Sequence, residues 1–399
     1  MNEKLFRTQF NQMETTEKQA LMESLAARYD MTFLGLHTFD RWGQNCTTGI
    51  FKKDGREFVF VPGDTVTLGW EQFAVGLNQE SREELEYLFR EWEMEPQNPE
   101  EMIRESMAPV RQAAIGPMLV GRELEELCWE PVKMDDPRLT AHPDWLKEFR
   151  DFAWSDSSSL TLHQSARIER TEKGFQICIY NHTDYDALLA MLENRGFSLP
   201  TADEWAYLCG GGCQTLFPWG DGLDYSMRLH WFENMDEDEN RPYDMEEPNF
   251  FGLSIAYDPY MREVVQADRL TTCGGDGGCN ICGGLGPFLG FLPCSPHCKP
   301  EVQEDNELNG DYDFYRPNGK LDYDYEEAIW DKVTGFTASK EALAFLLRQL
   351  TDIKNEVPDE DGIREIVDLW KNEDSGEIAP VWSEHLDWLI KRLISEQEA

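Results

Sequence analysis

Apolar residues follow helical spacing at both ends of the chain, whereas the middle shows shorter and less regular patterns. Near the N-terminus, Leu21, Met22, Leu25 and Tyr29 recur at intervals of three and four, which predicts an amphipathic helix. From Phe33 onward the pattern changes to short extended runs. We therefore assign residues 1–45 to a helical leader and expect the main domain to begin at residue 46.

The next part of the chain predicts strands mixed with helices. Residues 58–69 are rich in β-branched and aromatic residues on both sides of a Pro-Gly-Asp turn, which predicts two strands that meet there. The further predicted elements are two helices capped near Ser81 and Asn98, a strand pair over residues 111–124, a polar loop over residues 134–159 and a helix that starts at Thr183.

Residues 196–221 carry the densest local signals in the chain. Thr201 and Glu204 have the spacing of a capping box, which predicts a helix that begins at Ala202. Three glycines at residues 210–212 end that helix, because glycine adopts left-handed geometry without steric cost. Glu204 is accordingly interpreted as a helix cap and not as an acid catalyst.

Residues 222–310 lack periodic runs, whereas residues 325–399 return to helical spacing. Many aromatic residues in the first segment argue against disorder and favour ordered loops. The second segment predicts a three-helix appendage whose apolar stripes form core or docking faces. The stripes are Leu343, Leu346, Leu347, Leu350 and Ile353; Ile363, Ile366, Val367 and Trp370; and Leu386, Leu389, Ile390 and Leu393.

Charge limits the classes of partner. The 399 residues include 77 Asp and Glu against 36 Lys and Arg, a formal net charge of −41. Such a chain repels phosphate backbones and anionic lipid surfaces, so we expect neither a nucleic-acid partner nor a membrane partner. No apolar run approaches the roughly 20 residues that cross a bilayer, and the N-terminus shows no secretory signal. These features favour a cytoplasmic protein.

The middle of the chain also contains several motifs in a family-like order. Leu-Pro-Thr-Ala-Asp-Glu-Trp-Ala-Tyr at residues 199–207 and Phe-Pro-Trp-Gly-Asp at residues 217–221 resemble the signature of formylglycine-generating enzymes, the sulfatase-modifying-factor family. Further landmarks of that family are similar to residues 59–65, 248–253, 274–276 and 289–291. The resemblance implies an α+β, C-type-lectin-like fold over residues 46–310, with little regular structure and long ordered loops.

Several positions depart from the family pattern. Pro259 and Arg262 stand where the family has the Asn and Glu that help to hold a calcium ion, and an arginine does not ligate a cation. Ser198, Cys273 and Leu292 replace arginines of three further motifs, which removes three guanidinium groups. We therefore do not expect the usual substrate of the family.

Two cysteines carry the candidate chemistry that the resemblance implies. Formylglycine-generating enzymes bind copper(I) through a cysteine pair and use oxygen to convert a substrate cysteine into formylglycine. Cys279 and Cys282 lie near the corresponding positions, at a closer spacing than in the family. Soft thiolates suit copper(I), so these two residues are the candidate catalytic pair.

The same region also permits a structural zinc site. Two close cysteine pairs are separated by eleven residues, a spacing compatible with tetrahedral thiolate ligation, and they are Cys279 with Cys282 and Cys294 with Cys298. His297 and Cys273 are substitute ligands. A third interpretation is that these are reduced cysteines that pack as small apolar side chains. Copper, zinc and no metal therefore all stay open.

Two functions from different classes fit these features. The first is a diverged family member that acts as a binding or scaffolding module for a protein or peptide partner, without formylglycine-generating activity. The second is a copper- and oxygen-dependent oxidoreductase that acts on a cysteine or another thiol through Cys279 and Cys282. We favour the first, because the metal-holding and arginine positions of the family are replaced.

Overall fold

The chain folds into short helices and several small sheets. A computed structural model describes residues 2–93, 98–171, 173–232 and 242–321. The chain divides into two units, Lys4–Leu321 and Met1–Glu3 together with Asp322–Ala399. The predicted three-helix appendage over residues 325–399 lies outside the described residues.

Ten α-helices lie in the described part of the chain. They are α1 Arg7–Gln12, α2 Thr15–Arg28, α3 Gln79–Glu91, α4 Pro99–Arg104, α5 Pro137–Thr140, α6 Pro143–Ala153, α7 Tyr185–Asn194, α8 Ala202–Gly210, α9 Cys279–Cys282 and α10 Gly286–Gly290. Short 3-10 helices cover Asn2–Leu5, Asp244–Glu246 and Leu292–Cys294. None of these described helices has both the length and the apolar character needed to cross a bilayer.

Fifteen strands in the same residues form four sheets. They are β1 Thr32–Arg41, β2 Gln44–Lys53, β3 Arg56–Val61, β4 Asp64–Leu68, β5 Arg111–Ile115, β6 Met118–Gly121, β7 Trp129–Val132, β8 Ser159–Leu162, β9 Ala166–Thr171, β10 Gly174–Tyr180, β11 Arg262–Val265, β12 Thr271–Cys273, β13 Glu301–Val302, β14 Asp313–Tyr315 and β15 Asn318–Lys320. The sheet orders are β1-β2-β3-β6-β15, β7-β10-β9-β8, β13-β12-β11-β14 and β4-β5. Within these sheets β11 and β14 pair in parallel, and the other neighbours pair antiparallel. The predicted α+β class is confirmed.

The N-terminal leader is shorter than predicted and belongs to the main fold. Its helices end at Arg28, and β1 begins at Thr32, inside residues 1–45 that the sequence assigned to a helical leader. Met22 is fully buried against the five-stranded sheet. A Cβ added to Gly49 in β2 would lie 2.7 Å from Met22 Cγ, so this glycine makes room for the helix. The boundary at residue 45 therefore has no structural counterpart.

The turn predicted between β3 and β4 is confirmed, whereas two other predictions about local structure are wrong. The strands β3 and β4 meet at that turn, and β3 then pairs with β2 and β6 whereas β4 pairs with β5. The strands β5 and β6, expected as one pair, likewise have different partners. The predicted polar loop over residues 134–159 contains α5 and α6, whose first turns carry Pro137 and Pro143.

Helix α8 has the ends that its sequence predicts. The Thr201 hydroxyl oxygen accepts a hydrogen bond from Glu204 N at 3.2 Å, and the Glu204 carboxylate accepts one from Thr201 N at 2.7 Å. Gly211 ends the helix at φ +60°, where a Cβ would lie 2.5 Å from the ring of Phe250. Trp205 is buried, so α8 is a core helix.

A buried ion pair joins separate strands in the middle of this unit. Arg316, which follows β14, is fully buried, and two of its guanidinium nitrogens lie 3.2 Å from the carboxylate oxygens of Glu263 in β11. Its other donors bind the carbonyl oxygens of Gly121 at 2.7 Å, Arg122 at 2.9 Å and Ser254 at 2.6 Å. The pair thus fixes β11 and the residues that precede it.

Replacement of Arg316 tests this role. We expect Arg316→Met to lower the free energy of unfolding by about 3–5 kcal/mol, because Glu263 is left buried and unpaired. Urea unfolding measures the change, and the double variant Arg316→Met/Glu263→Gln should lose less than the sum of the single variants. Arg138→Ala, which breaks the exposed pair with Glu130, is the control and should leave stability nearly unchanged. An equally small effect of Arg316→Met would contradict the assignment.

Candidate functional site

The two candidate catalytic cysteines lie on the single-turn helix α9. Cys279 and Cys282 are exposed, whereas the other eight of the ten cysteines are buried or half-buried. Their i, i+3 spacing places both side chains on one side of the turn. The structure therefore keeps this pair together and open to solvent.

Two glycines let the polypeptide before α9 pack closely around Tyr260. Gly278 caps α9 at φ +79°, and a Cβ there would lie 2.1 Å from the Tyr260 ring. A Cβ on Gly275 would lie 2.6 Å from the carbonyl oxygens of Pro259 and Met261. A larger residue at either position would displace the backbone or the ring, so the glycine-rich turn sets the position of α9.

Tyr260 links the thiol pair to a stack of aromatic rings. Its hydroxyl forms a hydrogen bond with Cys282 Sγ at 3.0 Å, and this bond raises the pKa of Tyr260 to about 12. The rings of Tyr260 and Trp231 lie 4.3 Å apart, and Trp231 stacks on His230 at 4.8 Å. Trp231 Nε1 donates to the buried carboxylate of Asp258 at 2.9 Å. The thiol pair and the aromatic stack therefore share one side of the molecule.

Asp276 and Asn280 hold α9 in place. Asp276 Oδ2 accepts a hydrogen bond from Asn280 N at 3.1 Å, near the N-terminus of the helix, and burial raises the pKa of this carboxyl. The Asn280 side-chain amide donates to the Leu289 carbonyl oxygen at 2.9 Å, which ties α9 to α10. Asp276 thus has a positioning role.

An open apolar groove of about 320 Å³ lies beside α9. Leu88 and Trp92 line it from α3 and the residue that follows that helix, and Met102 lines it from α4. Asn280 and Leu285 line the opposite side. The groove therefore adjoins the helix that carries the thiol pair.

The structure does not bring the four predicted zinc ligands together. In the residues that the structure describes, no group of three or more His, Cys, Asp and Glu side chains is arranged to hold a metal ion. Cys294 is buried and its thiol donates to the Gly274 carbonyl oxygen at 3.2 Å, whereas the Cys298 thiol donates to Ser106 O at 3.7 Å. Burial raises the pKa of Cys298 to about 11 and that of Cys294 well above its usual value, which opposes the thiolate form that zinc needs.

His297, a substitute ligand in the zinc hypothesis, is a core residue. Its Nε2 forms a hydrogen bond with the Thr215 carbonyl oxygen at 3.0 Å, and burial lowers its pKa to about 4. Cys213 Sγ lies 3.8 Å from the same nitrogen, and burial raises the pKa of this thiol to about 12. Cys209 and Cys273 are buried as well. These cysteines fit the interpretation as small apolar side chains.

The polar residues of the family-like motifs are used by the fold. The Asp221 carboxylate accepts three backbone N–H groups at 2.6–2.9 Å. Asn249 accepts two backbone N–H groups and donates to the Leu208 carbonyl oxygen. Glu204 caps α8 and pairs with Lys320 at 3.2 Å. Each of these motif residues therefore stabilises a turn or a helix end.

The residues around the thiol pair carry no local signal in the sequence. Tyr260 cannot be identified from its neighbours, because its contact with Cys282 depends on the packing of the glycine-rich turn. Trp231 belongs to a segment without periodic spacing, so its sequence position does not place it beside Tyr260. The groove combines residues from α3 and α10 that lie about two hundred positions apart, so no local pattern indicates it.

Thiol labelling tests the division of the cysteines. In the native protein near neutral pH, we expect a thiol reagent to modify Cys279 and Cys282 rapidly and the other cysteines only after unfolding, because exposure and thiolate content govern reactivity. Peptide mass spectrometry identifies the labelled sites. The number of rapidly labelled cysteines should be lower by one in Cys279→Ser and likewise lower by one in Cys282→Ser. Rapid labelling of Cys213 or Cys298 would contradict the assignment.

The burial of His297 predicts a pH dependence of stability. Its folded-state pKa is about 4, below the ordinary 6.5, so the unfolded chain binds the proton more readily. The stability that neutral His297 contributes is complete above about pH 6.5 and is lost as the pH falls through about 4. As the pH falls from about 6.5 to about 4, we expect the free energy of unfolding of the unsubstituted chain to decrease by about 3 kcal/mol more than that of His297→Gln. Urea unfolding of both proteins measures the difference. Parallel curves for the two proteins would contradict this account.

No protein-family model matches the chain, and no curated protein matches it either. The likeness to formylglycine-generating enzymes thus stays a prediction from the motifs.

Proposed function

We propose that this chain is a diverged relative of formylglycine-generating enzymes that acts as a binding or scaffolding module for a protein or peptide partner. One observation carries the proposal. The polar residues of the family-like motifs are occupied by structural hydrogen bonds, as Asp221 and Asn249 illustrate, while the surface beside α9 is an open apolar groove. An open apolar groove, in a protein whose motif residues are used by structural hydrogen bonds, supports binding over catalysis.

The charged residues around the replaced family positions are paired within the protein. Arg262 stands where the family has a Glu. Glu263, one residue after Arg262, is buried and pairs with Arg316. Arg262 itself pairs with Asp313 at 2.7 Å. These charges are satisfied within the protein, so they hold strands together and are not available to bind a substrate or a cation.

A copper- and oxygen-dependent oxidoreductase is the second candidate, and one observation favours it. Cys279 and Cys282 are exposed on one helical turn, where two thiolates would suit copper(I). Tyr260 would orient Cys282 through their hydrogen bond. Bound copper would supply the oxygen chemistry for oxidation of a thiol. We place this function second because the groove beside the pair is apolar and the family arginines are replaced at Ser198, Cys273 and Leu292.

Copper loading separates the two functions. The protein is kept reduced, loaded with copper(I) and then treated with a chelator. We expect it to retain no more copper than Cys279→Ala does. We also expect mass spectrometry to show that a cysteine-containing test peptide stays unoxidised. Cys213→Ala is the matched control, because this thiol is part-buried. Tight one-to-one copper that is lost in Cys279→Ala and Cys282→Ala, together with oxidation of the peptide, would overturn the proposal and establish the oxidoreductase.

A further inference from the structure

We propose that the apolar groove beside α9 binds an amphipathic, positively charged helix of a partner protein. Large apolar side chains of that helix fill the groove, and its Lys and Arg residues meet glutamates at the rim. This inference rests on the proposed binding function and names the class of partner. The groove volume of about 320 Å³ lies within the range of roughly 300–1,000 Å³ that is typical of ligand sites.

The groove has a buried apolar floor and an exposed aromatic edge. Leu88, Ile103 and Leu292 are buried, while Trp92 at the edge is 51% exposed. Tryptophan is a frequent anchor of protein interfaces, because it offers a large apolar surface at low cost in conformational entropy. A helix that lays its apolar face on these residues would remove them from water, which is the usual mode of helix-in-groove recognition.

Hydrogen bonds between the two sides form the groove in advance. Glu84 of α3 accepts a hydrogen bond from Phe288 N in α10 at 2.9 Å and another from the Tyr225 hydroxyl. Gly286 allows this approach, since a Cβ there would lie 2.3 Å from Glu84 Oε1. The Asn280 amide bond to Leu289 then ties α10 to α9. A partner therefore meets a preorganised surface, which lowers the cost of binding.

The two helices beside the groove carry an excess of negative charge. Exposed glutamates neighbour its lining residues along the chain, and we call them the rim: Glu91 and Glu93 flank Trp92, Glu101 precedes Met102, and Glu105 precedes Ser106. One cation lies among them, since Lys299 Nζ donates to the Glu105 carbonyl oxygen at 2.6 Å. Helices α3 and α4 together contain seven glutamates and three arginines. Opposite charge on the partner would therefore speed association and select the correct partner.

The same charges disfavour a second copy of this chain as the occupant. A second copy brings a net charge of −41 to the rim glutamates. Like charges oppose that contact. A cationic helix is the occupant that combines apolar and electrostatic complementarity.

Three labelled peptides of equal length test the proposal on the full chain. The first has leucines at helical spacing on one face and lysines on the other face. The second replaces the leucines by serine, and the third replaces the lysines by glutamate. Fluorescence anisotropy is expected to show that the Leu/Lys peptide binds at least about tenfold tighter than either of the others. Its affinity should fall as salt is added. Equal affinity for the Leu/Lys and Leu/Glu peptides, or binding of none of the three, would overturn the proposal.

Variants of the groove locate the binding site. Leu285→Glu places a charge in the groove, and Glu91→Lys/Glu105→Lys reverses exposed rim charges without touching the core. Each variant is expected to bind the Leu/Lys peptide about tenfold or more weakly than the unsubstituted protein does. Glu148→Lys on α6 is the matched charge control, and Trp154→Ala, at a site 91% exposed, is the matched apolar control. Circular dichroism checks that the variants fold, and unchanged affinity in both groove variants would overturn the proposal.

Two outcomes assign the groove to something else. If Leu285→Glu converts a dimer of the protein to a monomer in a sedimentation experiment, the groove is an interface between copies and the proposed partner is wrong. If copper-dependent oxidation of a thiol is found while the Leu/Lys peptide still binds, the proposed binding function fails as the main activity and the groove becomes a substrate site. If none of the peptides binds and the protein binds no copper either, the proposed binding function stands and only the cationic helix is wrong as its partner.

Discussion

A fully buried guanidinium is stable only when its donors have acceptors and its charge has a partner. Arg316 meets this condition with Glu263 and three backbone carbonyl oxygens. The end of β6, the strand β11 and the chain around Ser254 must therefore converge on one point. Tyr260 lies two residues before β11, so the same constraint positions the ring on which the glycine-rich turn packs. The candidate site thus depends on a charge pair that takes no part in binding.

The features of the fold that were predicted correctly depend on neighbouring residues. The cap at Thr201 and the left-handed Gly211 are local, and the structure has both. The pairing of β3 and β4 with different sheets depends on distant strands, which the turn between them does not encode. Helix α6 lies in a segment whose polar composition predicts a loop, although Phe149 and Phe152 have helical spacing. The true end of the leader depends on how β1 joins the sheet.

The candidate site was predictable only in part for the same reason. The spacing of Cys279 and Cys282 predicts two neighbouring thiols, and both are exposed on one turn. Spacing did not show that Cys294 points into the core, where its thiol meets a backbone carbonyl oxygen. Four cysteines at zinc-like intervals form a site only if the loop between them closes. Here Cys279 and Cys282 are exposed whereas Cys294 is buried, and no such ligand group forms in the part of the chain that the structure describes.

The apolar groove, the acidic rim and the thiol pair occupy one side of a scaffold whose motif residues are committed to stability. We propose that the protein meets its partner at this surface. Hydrogen–deuterium exchange of the full chain, with and without the Leu/Lys peptide, tests this proposal. We expect slower exchange at residues 85–92, 99–106 and 279–292 in the presence of the peptide, and unchanged exchange at residues 143–171. Protection of residues 143–171 with no change around the groove would contradict it.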